Sequence, residues 1–334
     1  PMYPADGRKV FDIHTQPMNL RERLKADLGD FPFPSFWGPA AGIQSSRWIA
    51  ESAKWIETSE KPALNLVYLP HLDYCLQKYG PNAPEIKPEL AAIDEIVGDL
   101  LNFFGDRGVE VVLLSEYGIS EVNRAVHLNR EFRKRGWIQV KDELGRETLD
   151  CGGCRVFAVA DHQVAHIYIN DDVIRDEVIE LLEGIEGVEE VRVAAEMWGE
   201  GVATERAGDL IAVAASDAWF TYYYWEDDNK APDFARCIDI HRKPGYDPVE
   251  LFVDPKITFP KLKIAWFLLK KKLGFRALLD VIALDAELVK GSHGRDKIPE
   301  SEQPVFIADT ARITSVYEVN NAICELVSGG QRED

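Results

Sequence analysis

Several short stretches of the chain place metal-binding and proton-moving side chains beside turn formers. His71 and Asp73 lie in Leu69-Pro70-His71-Leu72-Asp73-Tyr74, directly after an apolar run at 63–69. Glu116 lies in Ser115-Glu116-Tyr117-Gly118, directly after a second apolar run at 109–114. His293 sits in Gly291-Ser292-His293-Gly294, where small residues let a backbone approach a ligand closely. Imidazoles and carboxylates gathered at neighbouring strand ends suit a divalent ion, which both ligate. Each taken alone reads more readily as a cap or a satisfied turn residue, and it is the clustering that brings the metal or acid-base reading level with it.

Three further clusters carry alternatives. In Asp161-His162-Gln163-Val164-Ala165-His166, a turn between two strands would let His166 begin the second strand and pack. Asp161 would then hold the His162 ring in one tautomer. In residues 239–247, strand alternation would put Asp239 and His241 on one face, and Arg242 with Lys243 would clamp a phosphate; the other reading is a charged loop. Cys151-Gly-Gly-Cys154 has redox or metal spacing but no second pair, which favours a plain turn. No Walker loop, Rossmann glycine fingerprint or Gly-x-Ser-x-Gly elbow is present.

The elements that must position these residues follow from periodicity. The runs at 63–69 and 109–114 predict buried parallel strands, and apolar spacing predicts a helix over 88–104 with Leu90, Ile93, Val97, Leu100, Leu101 and Phe104 on one side. Strand, helix, strand is a right-handed βαβ unit, whose chemistry belongs beyond the carboxyl ends of its strands. Helix is also expected at 20–28 and 171–182. Short strands are expected at 156–160, 165–169, 188–193 and 210–214, with more around Tyr223. Residues 261–273 predict a basic amphipathic helix with Ile264, Phe267 and Leu268 inward; the acidity of the whole chain favours a solvated outer face over a membrane surface.

The 334 residues, 46% hydrophobic and 28% charged, suffice for one large domain or two smaller ones. A net charge of −19 repels phosphate backbones and argues against nucleic acid as a partner. Five scattered cysteines suit reduced thiols, no apolar run is long enough to span a bilayer, and the expectation is a cytoplasmic protein without a membrane partner.

The motif Tyr68-Leu-Pro-His-Leu-Asp73-Tyr-Cys-Leu-Gln77-Lys-Tyr-Gly80-Pro81 resembles the type I phosphodiesterase/nucleotide pyrophosphatase branch of the alkaline phosphatase superfamily. Ser115-Glu116-Tyr117-Gly118 falls where that family has Ser-Asp-His-Gly, and Gly291-Ser-His293-Gly294 where it has Gly-x-His-Gly. The resemblance implies a three-layer α/β/α sandwich of alkaline phosphatase type with an inserted α+β cap. On that pattern residues 1–150 belong to the core, 151–255 to the cap, and 256–334 return to the core. It implies Asp73, Glu116 and His293 as metal ligands, with His71 and His241 as further candidates. Gln77 and Tyr117 stand where the family has histidines, and with Arg242 and Lys243 they are candidates for holding substrate. The implied cofactor is a divalent metal, zinc or else manganese or magnesium.

The chain begins Pro1-Met2, and the resemblance starts after the family's nucleophile. It therefore implies a nucleophile upstream or on a separate N-terminal fragment. The function implied is metal-dependent hydrolysis of a phosphodiester, phosphomonoester or pyrophosphate in a small phosphorylated substrate, by a chain that could also form a homo-oligomer. The alternative is a degenerate member, without a metal, that binds a phosphorylated ligand or partner and does not turn it over.

Overall fold

Ile93, Ile96, Leu100 and Phe104 recur every three or four positions, and this is the stripe that a helix buries. A computed structural model of the chain describes residues 10–197, 206–275, 277–309, 313 and 315–329. The elements begin with α1 (Leu20–Leu28), α2 (Ile43–Glu60), α3 (His71–Tyr79), α4 (Ile86–Gly105), β1 (Leu113–Leu114), β2 (Ser120–Glu121), β3 (Arg124–Val126) and α5 (Leu128–Lys134). Next come two hairpins, β4 (Val140–Glu143) with β5 (Arg146–Leu149) and β6 (Val156–Asp161) with β7 (Val164–Ile169). α6 (Arg175–Glu183), β8 (Val188–Val193), α7 (Ala194–Met197), β9 (Leu210–Ala214) and β10 (Ala218–Phe220) follow. The chain continues through α8 (Pro260–Lys272), β11 (Gly291–Ser292), β12 (Phe306–Ile307) and α9 (Val319–Gly329). The fold class is α/β.

These elements divide between two compact units: one of Pro1–Cys75, Pro84–Gly118 and Gln303–Asp334, the other of Leu76–Ala83 and Ile119–Glu302. The sequence reading divides the chain by role, at 150/151 and 255/256. In the first unit, α2 and α4 pack through Ala50, Ala53, Ile93, Ile96, Leu100 and Phe104. The small residues of α2 let the two helix backbones come close. Leu90 and Leu101, expected on the inner face of α4, are exposed, and Ile96 is buried instead.

The run at 63–69 is extended but pairs with no strand among the described residues. Its alternation shows why: Val67 and Leu69 pack against the α2–α4 core, while Leu64, Leu66 and Tyr68 face outward, Leu66 79% exposed. An apolar run can bury both faces or only one, and here one face is covered. The run at 109–114 likewise yields only the two-residue β1, antiparallel to β12. The expected βαβ unit is therefore replaced by helices covered by extended chain.

The second unit is built on an antiparallel sheet in the order β6-β7-β9-β8. One face of the sheet packs on α5 and α6 through Val156, Ala158, Ile167, Leu182, Leu210 and Phe132, all fully buried. Beside it β3 and β10 form a parallel pair. The aromatic run that follows β10 is extended but not strand, and its Tyr222, Tyr223, Tyr224 and Trp225 fill a second core. β11 pairs antiparallel with β2, which carries the Gly-Ser-His-Gly stretch into the unit.

Candidate functional site

In the first unit Pro70 ends the extended segment, and the first turn of α3 carries His71 and Asp73. A carboxylate there is favoured by the helix dipole. The Tyr117 hydroxyl donates to Asp73 Oδ1 at 3.2 Å, and Tyr68 is hydrogen-bonded to Tyr117 in turn. Burial, then the Asp73 charge, push the Tyr117 ionisation well above the usual tyrosine range. Tyr117 therefore remains a phenol, a donor that orients Asp73 and offers no anionic oxygen. Burial and the charges of Asp73 and Glu116 likewise raise Tyr68, so the acidic character of this cluster reaches Glu116.

His71 is buried, and its Nε2 lies 2.8 Å from Glu89 Oε2 without the alignment of a hydrogen bond. Burial pushes the imidazole down, against the pull of Glu89. The first unit thus brings Asp73, Tyr117, Tyr68 and Glu116 into one electrostatic cluster and turns His71 toward Glu89.

In the second unit the two-residue loop His162-Gln163 joins β6 to β7, with His162 at φ +57°, a conformation rare for a residue with a side chain. Its ring centroid lies 3.8 Å from that of His293 and 4.3 Å from that of Tyr246, both pairs tilted. The backbones are tied as well, with Gln163 N donating to the His293 carbonyl at 2.8 Å. Burial forces His162 far below the usual histidine range and His293 down to about 4, so both rings are neutral. Asp161 feels the charge of His166, not of His162, and β7 starts at Val164, so His166 is its third residue. His166 Nδ1 lies 2.8 Å from the Ala207 carbonyl.

The glycine at 291 serves packing. A Cβ there would lie 2.2 Å from the Leu76 carbonyl oxygen of α3, so the room expected for a ligand is filled by a helix backbone. Lys290 N donates to the Gln77 carbonyl nearby, and the Gln77 side chain is fully buried with neither amide atom hydrogen-bonded.

Lys243 is buried between Asp247 at 2.7 Å and Glu250 at 2.6 Å. Burial opposes its charge, but the two carboxylates outweigh it and hold the ammonium protonated. A grip on phosphate would require Lys243 to leave both. Arg242 is exposed, 3.0 Å from Asp233 and over the Phe234 ring, and His241 is exposed on the same loop. The Cys151–Cys154 stretch is a turn, and burial raises both thiols, which disfavours the thiolate that redox or metal chemistry needs.

A cleft of about 550 Å³ lies over β3 and α5, lined among others by Arg124, His127, Arg130, Lys134, Glu131 and Glu226. His127 Nδ1 is 2.7 Å from Thr221 Oγ1, and Arg130 Nε donates to the Trp225 carbonyl. No motif in the sequence singles out these residues; the only signal is a His and an Arg three apart at a helix start.

Among the described residues, no group of three or more His, Cys, Asp or Glu side chains is gathered as a divalent ion requires. Asp73 meets a phenol, His71 meets a carboxylate and His293 lies against another imidazole. The donors are of the right types but are not assembled around an ion, and no chemical step is derived through one.

The model of the type I phosphodiesterase/nucleotide pyrophosphatase family matches residues 2–247. The chain belongs to this family, and the matched stretch contains Asp73, Gln77, Glu116 and Tyr117 but ends before His293. A pyrophosphatase/phosphodiesterase of Schizosaccharomyces pombe is 29% identical over 87 residues, which are 24% of this chain and 18% of that protein. Among solved structures, phosphonoacetate hydrolase from Sinorhizobium meliloti with bound phosphonoformate is similar at 17% identity and a TM-score of 0.42, over 62% of this chain and 48% of that one. Murine ectonucleotide pyrophosphatase/phosphodiesterase 5 in complex with AMP is similar at 18% identity and a TM-score of 0.38, over 54% and 44%. The chain thus spans about half the length of these solved relatives and under a fifth of the yeast protein.

Proposed function

We propose that the chain is a hydrolase of phosphodiester, phosphomonoester or pyrophosphate bonds acting on a small phosphorylated substrate. The observation that carries this reading is the family match over residues 2–247, which contains the Asp73 and Glu116 motifs. A divalent ion, zinc first and manganese or magnesium next, is part of the proposal. The family motifs offer Asp73 and Glu116 as its donors on the first unit, and they would have to rearrange around the ion. A group able to attack phosphorus is not assigned to any residue of this chain.

A second reading, binding of a phosphorylated ligand without turnover, is favoured by Tyr117, which stands where the family has a histidine and donates its hydroxyl to Asp73 in place of a ligand lone pair. Assays with p-nitrophenyl phosphate, its bis-ester and inorganic pyrophosphate, with and without zinc or manganese, separate the two. Hydrolysis requires turnover that chelation abolishes and that Asp73→Ala lowers at least about a hundredfold. Absence of turnover on all three, with AMP binding still measurable by calorimetry, supports the binder.

A further inference from the structure

Helix α8 is anomalous in both charge and exposure. Between Asp254 and Asp280 the chain holds six lysines and one arginine and no acidic residue, within a molecule of net charge −19. None of the residues of α8 is buried. Ile264 touches the aromatic core and Lys263 reaches the Asp280 carboxylate at 3.0 Å, so one side of the helix is anchored. The other side is largely exposed among the described residues: Leu262 is 69% exposed, Trp266 56%, Leu269 44% and Leu273 63%. Leu268, expected inward, is exposed too, as are Phe259 and Phe275 just beyond the two ends.

At 100° per residue, Leu262, Trp266, Leu269 and Leu273 fall within an arc of about 60°. Lys261 and Lys272 flank that arc on one side, Lys263 and Lys270 on the other. An apolar ridge bordered by lysines on both flanks is the pattern of a helix lying in a lipid interface, with aliphatic and Trp side chains among the acyl chains and ammonium groups at the headgroups.

We propose that α8 docks the molecule onto an anionic lipid surface. Two observations commit the occupant to lipid. The exposed side chains of Leu262, Trp266, Leu269 and Leu273 form one line along the helix, which a fluid layer accommodates without a matching groove. This segment carries seven basic residues and no acidic one, while the rest of the chain is strongly acidic, so the remainder is repelled from an anionic surface while α8 is drawn to it; the molecule is thereby oriented as well as held. The helix is too short and too charged to cross the layer.

The test is co-sedimentation of the chain with vesicles of phosphatidylcholine and phosphatidylserine at about 3:1. Binding is expected that falls at least about tenfold on pure phosphatidylcholine vesicles and again on raising the salt. The triple variant Leu262→Glu, Trp266→Glu, Leu269→Glu is expected to lose at least about tenfold in binding while keeping its circular dichroism. Should that variant fail to fold, Lys261→Glu with Lys272→Glu, both exposed, is expected to weaken binding to the anionic vesicles selectively. Absence of sedimentation with anionic vesicles overturns the proposal, as does unchanged binding by the folded variants. A dimer in solution that the triple variant dissolves overturns it too, because the ridge would then be covered by a second copy.

Discussion

Tyr117 shows what one substitution of type does to a site. A histidine at this position would offer a lone pair; the phenol, kept protonated by burial, instead gives a hydrogen bond to Asp73. Tyr117→His is therefore expected to tighten zinc binding at least about tenfold, read by competition with a chromophoric chelator; unchanged affinity would show that Asp73 is not a metal donor. His127 carries a second prediction. Burial, followed by the charge of Arg130, lowers it to about 4, so the folded state keeps it neutral where the unfolded chain takes up a proton near 6.5. Stability contributed by the neutral ring is complete above pH 6.5 and lost as the pH falls toward 4, on the order of 3 kcal/mol in all. Thermal melts of His127→Gln against the parent should show a shallower loss over that interval. The types of Asp73, Glu116 and His293 were legible in the sequence. That Asp73 meets a phenol and His293 a second imidazole was not, because side-chain partners come from distant segments.

At the scale of elements, the loop after Asp239 and the Gly291 strand are held by packing. Removing one partner from a buried group leaves an uncompensated charge, so Lys243→Met is expected to cost about 3–5 kcal/mol of stability, measured by urea unfolding. A loss of activity in this variant would then follow the loss of fold, whereas a stable, inactive protein would restore Lys243 as a substrate group. Gly291→Ala places a methyl against the Leu76 carbonyl and is expected to lower stability by at least about 1–3 kcal/mol in the same assay. Strands β8 and β9, the hairpin β6–β7 and helices α1, α4 and α8 were legible from local pattern, since each needs only its own periodicity. Helix α2 announces itself less, because it buries Ser45, Ser46, Ala50 and Ala53 and not large apolar residues. The runs at 63–69 and 109–114 misled because a strand is completed by its neighbour, which local sequence does not contain.

For the whole molecule, charge is the governing quantity. A chain of net charge −19 repels an anionic phosphorylated substrate at long range, and salt screens that repulsion. On the hydrolase reading, kcat/KM should therefore rise a fewfold between about 0.01 and 0.15 M salt; a fall would point to a locally positive entrance, such as the cleft bearing Arg124, Arg130 and Lys134. By itself the sequence determined the α/β class, the family through its spaced motifs, the acidity of the molecule and the positions of most short elements. These depend on composition and on spacings of a few residues. Tertiary structure alone decided that the units divide at 75/76, 83/84, 118/119 and 302/303, that His162 comes to lie against His293, that Lys243 is locked between two carboxylates, and that α8 leaves its apolar ridge exposed among the described residues. Each of these is a contact, or the absence of one, between segments tens to hundreds of residues apart, and burial is a property of what the rest of the chain places nearby.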